Sequence, residues 1–428
     1  MTIVEFFDKD AIENIVSTLL CEPERVIFVG SKKSDMERAI EVYKRIAEEG
    51  NIQVEFDCRP VNHNDMPAII RTLSAIVEEC GECTFDLTGG EDLYLAAVGA
   101  VFHNYPDKVQ LHRFNIRNGR LYDCDADGRV EETVRDSISC GQLIGAFGGR
   151  IVTCEDKPNG TFTWDYTKDF KEDIWAMWRI CCRNILAWNT QINALDGINE
   201  WQQLPPEELN ITVNKDLAGE ALPHRGKTCA FLYEVLRPLE EQALISNLSM
   251  KGDYLSLTFK NEQVKRCLTK AGQILEVLIS MLALEQSDDA DEPLYDDVMT
   301  GVLIDWDGPA ETHPTDVENE IDVVLMKGLM PVFVSCKNGF VKTEELYKFN
   351  TVADRFGGKY VVKVLIASDL TRFGTEEDLR ARAEEMNICL VTGLTDLDER
   401  ELRRVVQLLY SPNELTQLME SIRKKRGV

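Results

Sequence analysis

Histidine, positive charge and long apolar runs are all scarce in this chain of 428 residues, which contains only five histidines. Lys and Arg together number 47 against 74 Asp and Glu, so the formal net charge is −27 at pH 7. A chain this acidic has no long-range attraction for nucleic acid, which argues against constitutive high-affinity nucleic-acid binding. The charge is still compatible with a gated enzyme that must stay inactive at rest.

The 13 cysteines are scattered and form no recognisable framework. Cys80 and Cys83 have the spacing of a zinc or redox motif, but a second such pair is missing, which favours ordinary reduced thiols. No run approaches the roughly 18 apolar residues that a membrane span needs. The first residues, Met1 to Asp8, have no basic leader region. The sequence therefore predicts a soluble, cytoplasmic protein with no membrane partner.

The first third of the chain alternates between short β-rich runs and helical stretches. Strands are predicted at 25–30, 52–56, 83–88 and 108–114, with helices at 35–49, 66–79 and 91–103. Strands and helices that alternate at this spacing imply a parallel sheet covered on both faces. We therefore predict an α/β protein that begins with a Rossmann-like domain over residues 1–150.

Residues 151–265 have a different pattern. A helical, tryptophan-rich stretch from Lys168 to Ala194 is followed by short helices and a strand at Tyr254–Phe259, an order that resembles a winged helix. We interpret this middle part as a helical linker and winged-helix-like region that serves packing more than DNA reading.

The last part, residues 266–428, returns to an α/β pattern. One amphipathic helix is predicted at 267–284, before an acidic loop at 287–297. Strands are then predicted at 297–305, 321–326, 331–335, 360–366 and 388–391, with helices at 343–355, 376–385 and from about 398.

Acidic residues and a lysine lie on two neighbouring strands of this last part. Glu318, Glu320 and Asp322 precede a tight connection, and Ser335 and Lys337 end the strand that follows it. Because side chains alternate along a strand, each of these two sets shares one face of a predicted hairpin. Carboxylates suit Mg²⁺ or Mn²⁺, which activates a bound water for phosphodiester hydrolysis, and a nearby lysine can stabilise developing charge.

A helix with Glu276, a hairpin with Asp322, then Ser335-Cys336-Lys337 before a helix and a strand resembles the PD-(D/E)xK nuclease superfamily. The resemblance implies a restriction-endonuclease-like α/β domain in which Glu276, Asp322 and the backbone carbonyl of Cys336 bind Mn²⁺ or Mg²⁺. It implies a catalytic set of Glu276, Asp322, Ser335 and Lys337, with Lys337 as the catalytic cation.

The sequence departs from this family at Ser335, where the family usually has Glu or Asp two residues before the lysine. A hydroxyl is a poor ligand for Mg²⁺, so one carboxylate is missing. We hypothesise that Glu320, on the same face as Asp322, replaces it. The alternative is that Asp322 and Lys337 form only an ordinary salt bridge across a hairpin.

Two loops stand out in the first part: Gly30-Ser31-Lys32 after one strand, and Thr88-Gly89-Gly90-Glu91 between a strand and a helix. Loops at the carboxyl ends of parallel strands are where ligands bind, and helix N-termini there favour phosphate. The sequence has no GxxxxGK[ST] and no GxGxxG after its first predicted strand, which argues against ATP hydrolysis and dinucleotide redox chemistry. Glu91 has two interpretations, as a ligand contact or as the residue that begins its helix.

A doubly wound N-terminal domain with this Thr-Gly-Gly loop, joined to a PD-(D/E)xK domain, resembles the CARF-domain nucleases of type III CRISPR defence. The resemblance implies a homodimer that binds cyclic tetra-adenylate through Gly30, Ser31, Lys32, Thr88, Gly89, Gly90 and Glu91. It further implies allosteric activation of an endonuclease that cuts single-stranded DNA or RNA, or supercoiled duplex DNA. The other common partner of CARF domains, a HEPN ribonuclease, needs Arg and His separated by four to six residues, whereas Arg59 and His63 are separated by three.

Two alternatives from other classes stay open at this point. One is a cyclic-nucleotide-sensing transcription regulator that uses the middle region as a winged helix and carries an inactive nuclease fold. The other is a ring nuclease that degrades its own activator. Only Ser31 and Thr88, near the expected phosphates, support this alternative.

Overall fold

The computed structural model describes residues 1–124, 130–135, 137–227, 229–306, 317–339, 341–368 and 376–426. The N-terminal part is a seven-stranded sheet in the order β3-β2-β1-β4-β5-β6-β7, in which β1 to β5 are parallel and β6 and β7 antiparallel. Its strands are β1 (Thr2–Phe6), β2 (Arg25–Gly30), β3 (Glu55–Pro60), β4 (Cys83–Asp86), β5 (Val109–Asn115), β6 (Arg120–Cys124) and β7 (Val130–Arg135). Its helices are α1 (Ala11–Cys21), α2 (Lys33–Glu49), α3 (Met66–Cys80) and α4 (Asp92–Asn104). The predicted Rossmann-like parallel sheet is confirmed.

The middle part contains five helices and a small antiparallel sheet in the order β10-β11-β9. Its elements are α5 (Cys140–Ala146), β8 (Arg150–Ile151), α6 (Lys168–Arg183), α7 (Ile185–Gln202), β9 (Asn210–Asn214), α8 (Lys215–His224), α9 (Tyr233–Glu241), β10 (Ile245–Ser249) and β11 (Tyr254–Phe259). The short strand β8 pairs with a strand of the C-terminal sheet rather than with this one.

The C-terminal part is built on a six-stranded mixed sheet in the order β16-β15-β14-β13-β12-β8. Its strands are β12 (Asp297–Asp305), β13 (Glu318–Lys327), β14 (Met330–Lys337), β15 (Val362–Ala367) and β16 (Ile388–Thr392). Its helices are α10 (Glu262–Thr269), α11 (Gln273–Leu284), α12 (Thr343–Phe356), α13 (Glu376–Glu385), α14 (Glu399–Gln407) and α15 (Pro412–Arg426).

The prediction of one continuous helix at 267–284 is wrong. The helix ends at Thr269, and a second one begins at Gln273 after Gly272, whose φ of +90° is a conformation that interrupts a right-handed helix. The break lies directly before Glu276, so it places Lys270 and the first turn of α11 beside the third sheet. The apolar periodicity could not reveal it, because α11 buries almost all of its residues and so has no polar face that would mark a break.

The first and third sheets share one core. A single hydrophobic cluster includes Ile15 and Phe28 from the N-terminal part and Phe333 and Phe356 from the C-terminal part, and all four side chains are fully buried. A second cluster joins the middle helices to α11 and to the opposite face of the third sheet. In the described ranges, no helix is both long and apolar enough to cross a membrane.

Candidate functional site

Asp322 is the centre of a polar cluster at the open end of the β13–β14 hairpin. The strands pair with Val323 opposite Val334, which brings Asp322 next to the end of β14. Its Oδ2 accepts hydrogen bonds from the backbone N–H of Cys336 at 2.6 Å, from Ser335 Oγ at 3.1 Å and from Lys337 Nζ at 3.3 Å. Three donors therefore fix one oxygen of this carboxylate and leave the other free of these bonds.

Two further carboxylates join Asp322. One oxygen each of Glu276, Glu320 and Asp322 lie within 4.8 Å of one another, an arrangement that can hold a metal ion. Glu276 lies on the first turn of α11 at 4% exposure, and Gln273 Nε2 donates to its Oε2 at 2.8 Å. Burial, together with the negative charges of Asp322 and Glu320, raises the pKa of Glu276 to about 8.

Lys270 supplies positive charge to this cluster. Its ammonium pairs with Glu320 and lies 3.9 Å from Glu276 Oε2. Burial alone would lower the pKa of Lys270, but Glu276 and Glu320 outweigh it and raise the pKa to about 12. Sequence reasoning missed Lys270, because the helix break that turns it towards the carboxylates has no clear periodic signal.

Lys337 is the second cation of the site. Its Nζ lies between Asp322 and Glu345, which is 3.9 Å away on α12. Burial lowers the pKa of Lys337, but these acids outweigh it, so the pKa lies above its ordinary value and the side chain stays charged.

The structure thus brings Glu276, Asp322, Ser335 and Lys337 together, along with Glu320. Ser335 is 6% exposed and donates to Asp322, so it orients a carboxylate instead of supplying one. Glu318, which the strand alternation places on the same face, pairs with Lys157 and lies outside the carboxylate cluster.

The two N-terminal loops meet at the end of β1, the strand that lies between β2 and β4. Both glycines are needed for packing against this strand. A Cβ at Gly30 would lie 2.9 Å from Phe7 Cβ, and one at Gly90 would lie 2.4 Å from Phe6 Cβ. Gly90 also has a φ of +98°, which L side chains rarely adopt. Sequence reasoning found the loops but did not place β1 between them.

The polar residues of these loops differ in whether they already make hydrogen bonds within the protein. Ser31 and Lys32 are exposed, with Lys32 3.9 Å from Asp35. Thr88 Oγ1 accepts from the backbone N–H of Phe114 at 2.8 Å, so this hydroxyl is already part of the fold. Glu91 is the N-cap residue of α4, and its backbone carbonyl accepts from the N–H of Tyr94 at 3.0 Å. It therefore begins its helix through its backbone, while its side chain makes no capping hydrogen bond within the described residues.

A polar bridge that sequence reasoning missed connects these loops to the C-terminal part. The backbone N–H of Gly90 donates to Asp8 at 3.3 Å, and a Cβ at Gly89 would lie 3.2 Å from Glu13 Cβ. Glu13 in turn accepts from Lys359 Nζ at 2.6 Å and from Tyr360 Oη at 2.7 Å. Lys359 and Tyr360 connect α12 to β15, whose neighbour β14 carries Lys337.

The whole chain shares its fold with solved structures that it matches over nearly their full length. It is similar to protein VC1899 from Vibrio cholerae, with a TM-score of 0.67 and 18% identity over 98% of each chain. It is also similar to Can2 from Sulfobacillus thermosulfidooxidans, described in complex with cyclic tetra-adenylate, with a TM-score of 0.63 and 18% identity over 96% of this chain and 99% of Can2. At this identity the likeness establishes the fold alone. No protein-family model and no curated protein sequence matches the chain.

Proposed function

We propose that this protein is a metal-dependent endonuclease of the PD-(D/E)xK type, activated by cyclic tetra-adenylate in CRISPR antiviral defence. The observation that carries the proposal is the convergence of three carboxylates, Glu276, Glu320 and Asp322, with the ammonium of Lys337 at the end of one hairpin. An ordinary salt bridge across a hairpin would need only Asp322 and Lys337. It would not explain a buried acid with a raised pKa beside them.

The donor set fits Mg²⁺ or Mn²⁺. These cations prefer carboxylate and carbonyl oxygens, and the three carboxylate oxygens are close enough to share one ion. Glu320 would supply the carboxylate that the family places at Ser335, while the backbone carbonyl of Cys336 would complete the protein ligands. When bound, the ion would lower the pKa of a water molecule and neutralise charge on the phosphate.

The other residues have roles that follow from their contacts. Asp322 holds Lys337 at the cluster, where the ammonium can orient the attacking water and stabilise the charge that develops on the phosphate. Gln273 orients Glu276 through its hydrogen bond to Oε2. Ser335 and the N–H of Cys336 orient Asp322 through their hydrogen bonds to its Oδ2.

The activator would bind where the two loops meet at the end of β1. Can2, which is similar over nearly the whole chain, is described in complex with cyclic tetra-adenylate, and this likeness supports the same ligand here. A ring of four identical units has internal symmetry, so a homodimer can grip it with two copies of the same loops. Activation requires that the ligand bind the competent dimer more tightly than the resting one.

The test is cleavage of labelled single-stranded DNA, single-stranded RNA and supercoiled plasmid with Mn²⁺, each with and without cyclic tetra-adenylate. Lys337→Ala should abolish cleavage. The matched control Lys348→Ala removes an exposed lysine of α12 that pairs with Glu345 and should leave cleavage intact. Cleavage at the same rate with and without the ligand, or cleavage by the Lys337→Ala variant, would contradict the proposal.

A second candidate, a ligand-sensing transcription regulator, has one observation in its favour. The order α7-β9-α8-α9-β10-β11 and the sheet order β10-β11-β9 resemble those of a winged helix. In that arrangement α9 would enter the DNA groove, but it carries Glu234, Glu240 and Glu241 against Arg237 alone. Because DNA binding depends on neutralising phosphates, this helix is poorly suited to it. Metal-independent DNA binding without cleavage would favour this candidate.

A further inference from the structure

A cavity of about 480 Å³ opens directly beside the carboxylate cluster. Gly301 and Glu320 form its floor, and Lys270 lies where the cavity meets the cluster. The segment before α6 and the helices α7 and α10 form its walls. A group that enters this cavity therefore comes next to the proposed metal ligands.

One wall of the cavity is an aromatic platform. Trp164 lies edge-on to Phe162, with ring centroids 4.9 Å apart and an interplanar angle of 82°. Trp164 also stacks on the buried Phe170 at 5.8 Å, with the rings within 4° of parallel. The guanidinium of Arg266 lies 4.0 Å from the centroid of the Phe162 ring. Packing behind the platform thus holds two aromatic rings and a planar cation at the cavity in fixed orientations.

The wall that α7 contributes is polar and carries Asn199. The acids beside it, Asp196 and Glu200, are both paired with Lys227, at 2.5 and 3.6 Å.

We propose that this cavity holds one unpaired nucleobase of the substrate strand, stacked on the Phe162–Arg266 platform beside the phosphate that is cut. The inference rests on the proposed function and adds how one nucleotide of the strand would be recognised beside the metal cluster. The volume is in the range of small-molecule sites, roughly 300–1,000 Å³, so it suits one nucleotide and not a base-paired duplex.

The charge of the chain supports stacking as the mode of recognition. With a net charge of −27, the protein cannot rely on long-range attraction to hold a nucleic-acid backbone. Stacking between a base and an aromatic ring does not depend on net charge and tolerates any base, because every base has a π-face. Binding would then combine a stacked base with a phosphate at the metal cluster.

The experiment uses the full chain with Lys337→Ala to prevent cleavage, in the presence of Mn²⁺ and cyclic tetra-adenylate. The probe is a short single-stranded oligonucleotide that carries 2-aminopurine, whose fluorescence changes when it stacks. Phe162→Leu keeps an apolar side chain but removes the ring. It should raise the dissociation constant roughly 5- to 150-fold and abolish the fluorescence change. Phe162→Tyr keeps the ring and should behave as the parent does, as should Tyr254→Ala, which removes an exposed aromatic side chain outside the cavity.

The outcomes separate this inference from the proposed function. If the protein with Lys337 intact cuts the strand but Phe162→Leu leaves affinity and fluorescence unchanged, the proposed function stands and the inference is overturned. If 2-aminopurine nucleoside monophosphate binds as tightly as the strand, the cavity holds a free nucleotide and the inference is also overturned. If no strand is bound or cut under any condition, both fall.

Discussion

Replacing Glu320 by Gln tests whether this residue supplies the carboxylate that Ser335 lacks. Gln keeps the size of the side chain but removes its charge, so the effect on metal binding isolates the charge. If Glu320 is a ligand, Mn²⁺ affinity should fall and cleavage at limiting metal should fall with it. If Glu320 only pairs with Lys270, the loss of its charge should have little effect on metal affinity.

The expected magnitude follows from two opposing effects. Two unit charges about 4 Å apart at an effective dielectric constant of about 20 interact by about 4 kcal/mol, which is a lower bound here because Mn²⁺ carries two charges and a ligand oxygen lies closer. Metal binding must also displace Lys270 from Glu320, a half-exposed pair worth at most about 1 kcal/mol, and the variant removes this cost. At least about 3 kcal/mol remains, so the dissociation constant should rise at least about 100-fold.

Isothermal titration with Mn²⁺ measures this change, and two variants control it. Glu318→Gln removes a charge two residues away on the same strand, where the side chain pairs with Lys157, and should leave metal affinity within about twofold. Adding Ser335→Asp to Glu320→Gln restores a carboxylate at the position that the family uses and should recover part of the affinity. Equal metal affinity for Glu320→Gln and the unmodified protein would refute the reasoning.

Three more predictions concern the buried Glu276, the loop at Gly90 and the polar bridge between the N-terminal and C-terminal parts. Because the raised pKa of Glu276, about 8, leaves this carboxyl protonated at neutral pH, metal binding must release its proton. Mn²⁺ affinity should therefore rise about tenfold per pH unit below about pH 8 and level off above it; a flat calorimetric profile would contradict this. Gly90→Ala should lower the free energy of unfolding by about 1–3 kcal/mol more than Gly81→Ala does. Both glycines have a positive φ, but only a Cβ at Gly90 would clash with Phe6. Equal denaturant midpoints for the two variants would contradict this prediction. The activation ratio is the cleavage rate with cyclic tetra-adenylate divided by the rate without it. Lys359→Met should lower this ratio at least about fivefold and leave metal affinity unchanged. An unchanged ratio would exclude the bridge as a coupling element.

The sequence predicted the site best where side chains alternate regularly between the two faces of a strand. The hairpin was predicted because Val323 to Met326 and Val332 to Val334 are apolar runs that flank a tight turn, and the alternation then fixes which acids face Lys337. Asp322, Ser335 and Lys337 are neighbours in the structure for this reason. The position of Glu276 beside Asp322 depends on a contact between a helix and the sheet. Only the family resemblance predicted this position.

Other features depend on tertiary contacts that local patterns do not encode. The strand β1 was missed because Glu5 interrupts its apolar run, yet this residue is 1% exposed in the centre of the sheet. Burial and the neighbouring Asp86 raise the pKa of Glu5 well above its ordinary value, which allows a neutral acid at that position. The contribution of Lys270 was missed for a related reason, because a lysine inside a predicted helix is usually a solvated residue.

The position of the polar bridge bears on how the proposed activation can work. A ligand shifts an equilibrium only by its difference in affinity for the two states, so the loops proposed to hold it must change their contacts when the C-terminal part changes. Glu13 is 2% exposed and lies against Gly89 on one side and against Lys359 and Tyr360 on the other. Because a packed, charged contact of this kind does not deform continuously, a shift of the Gly89 loop must either carry β15 with it or break the bridge. Since β15 pairs with the strand that carries Lys337, the first of these outcomes would reposition the Lys337 ammonium relative to the carboxylates.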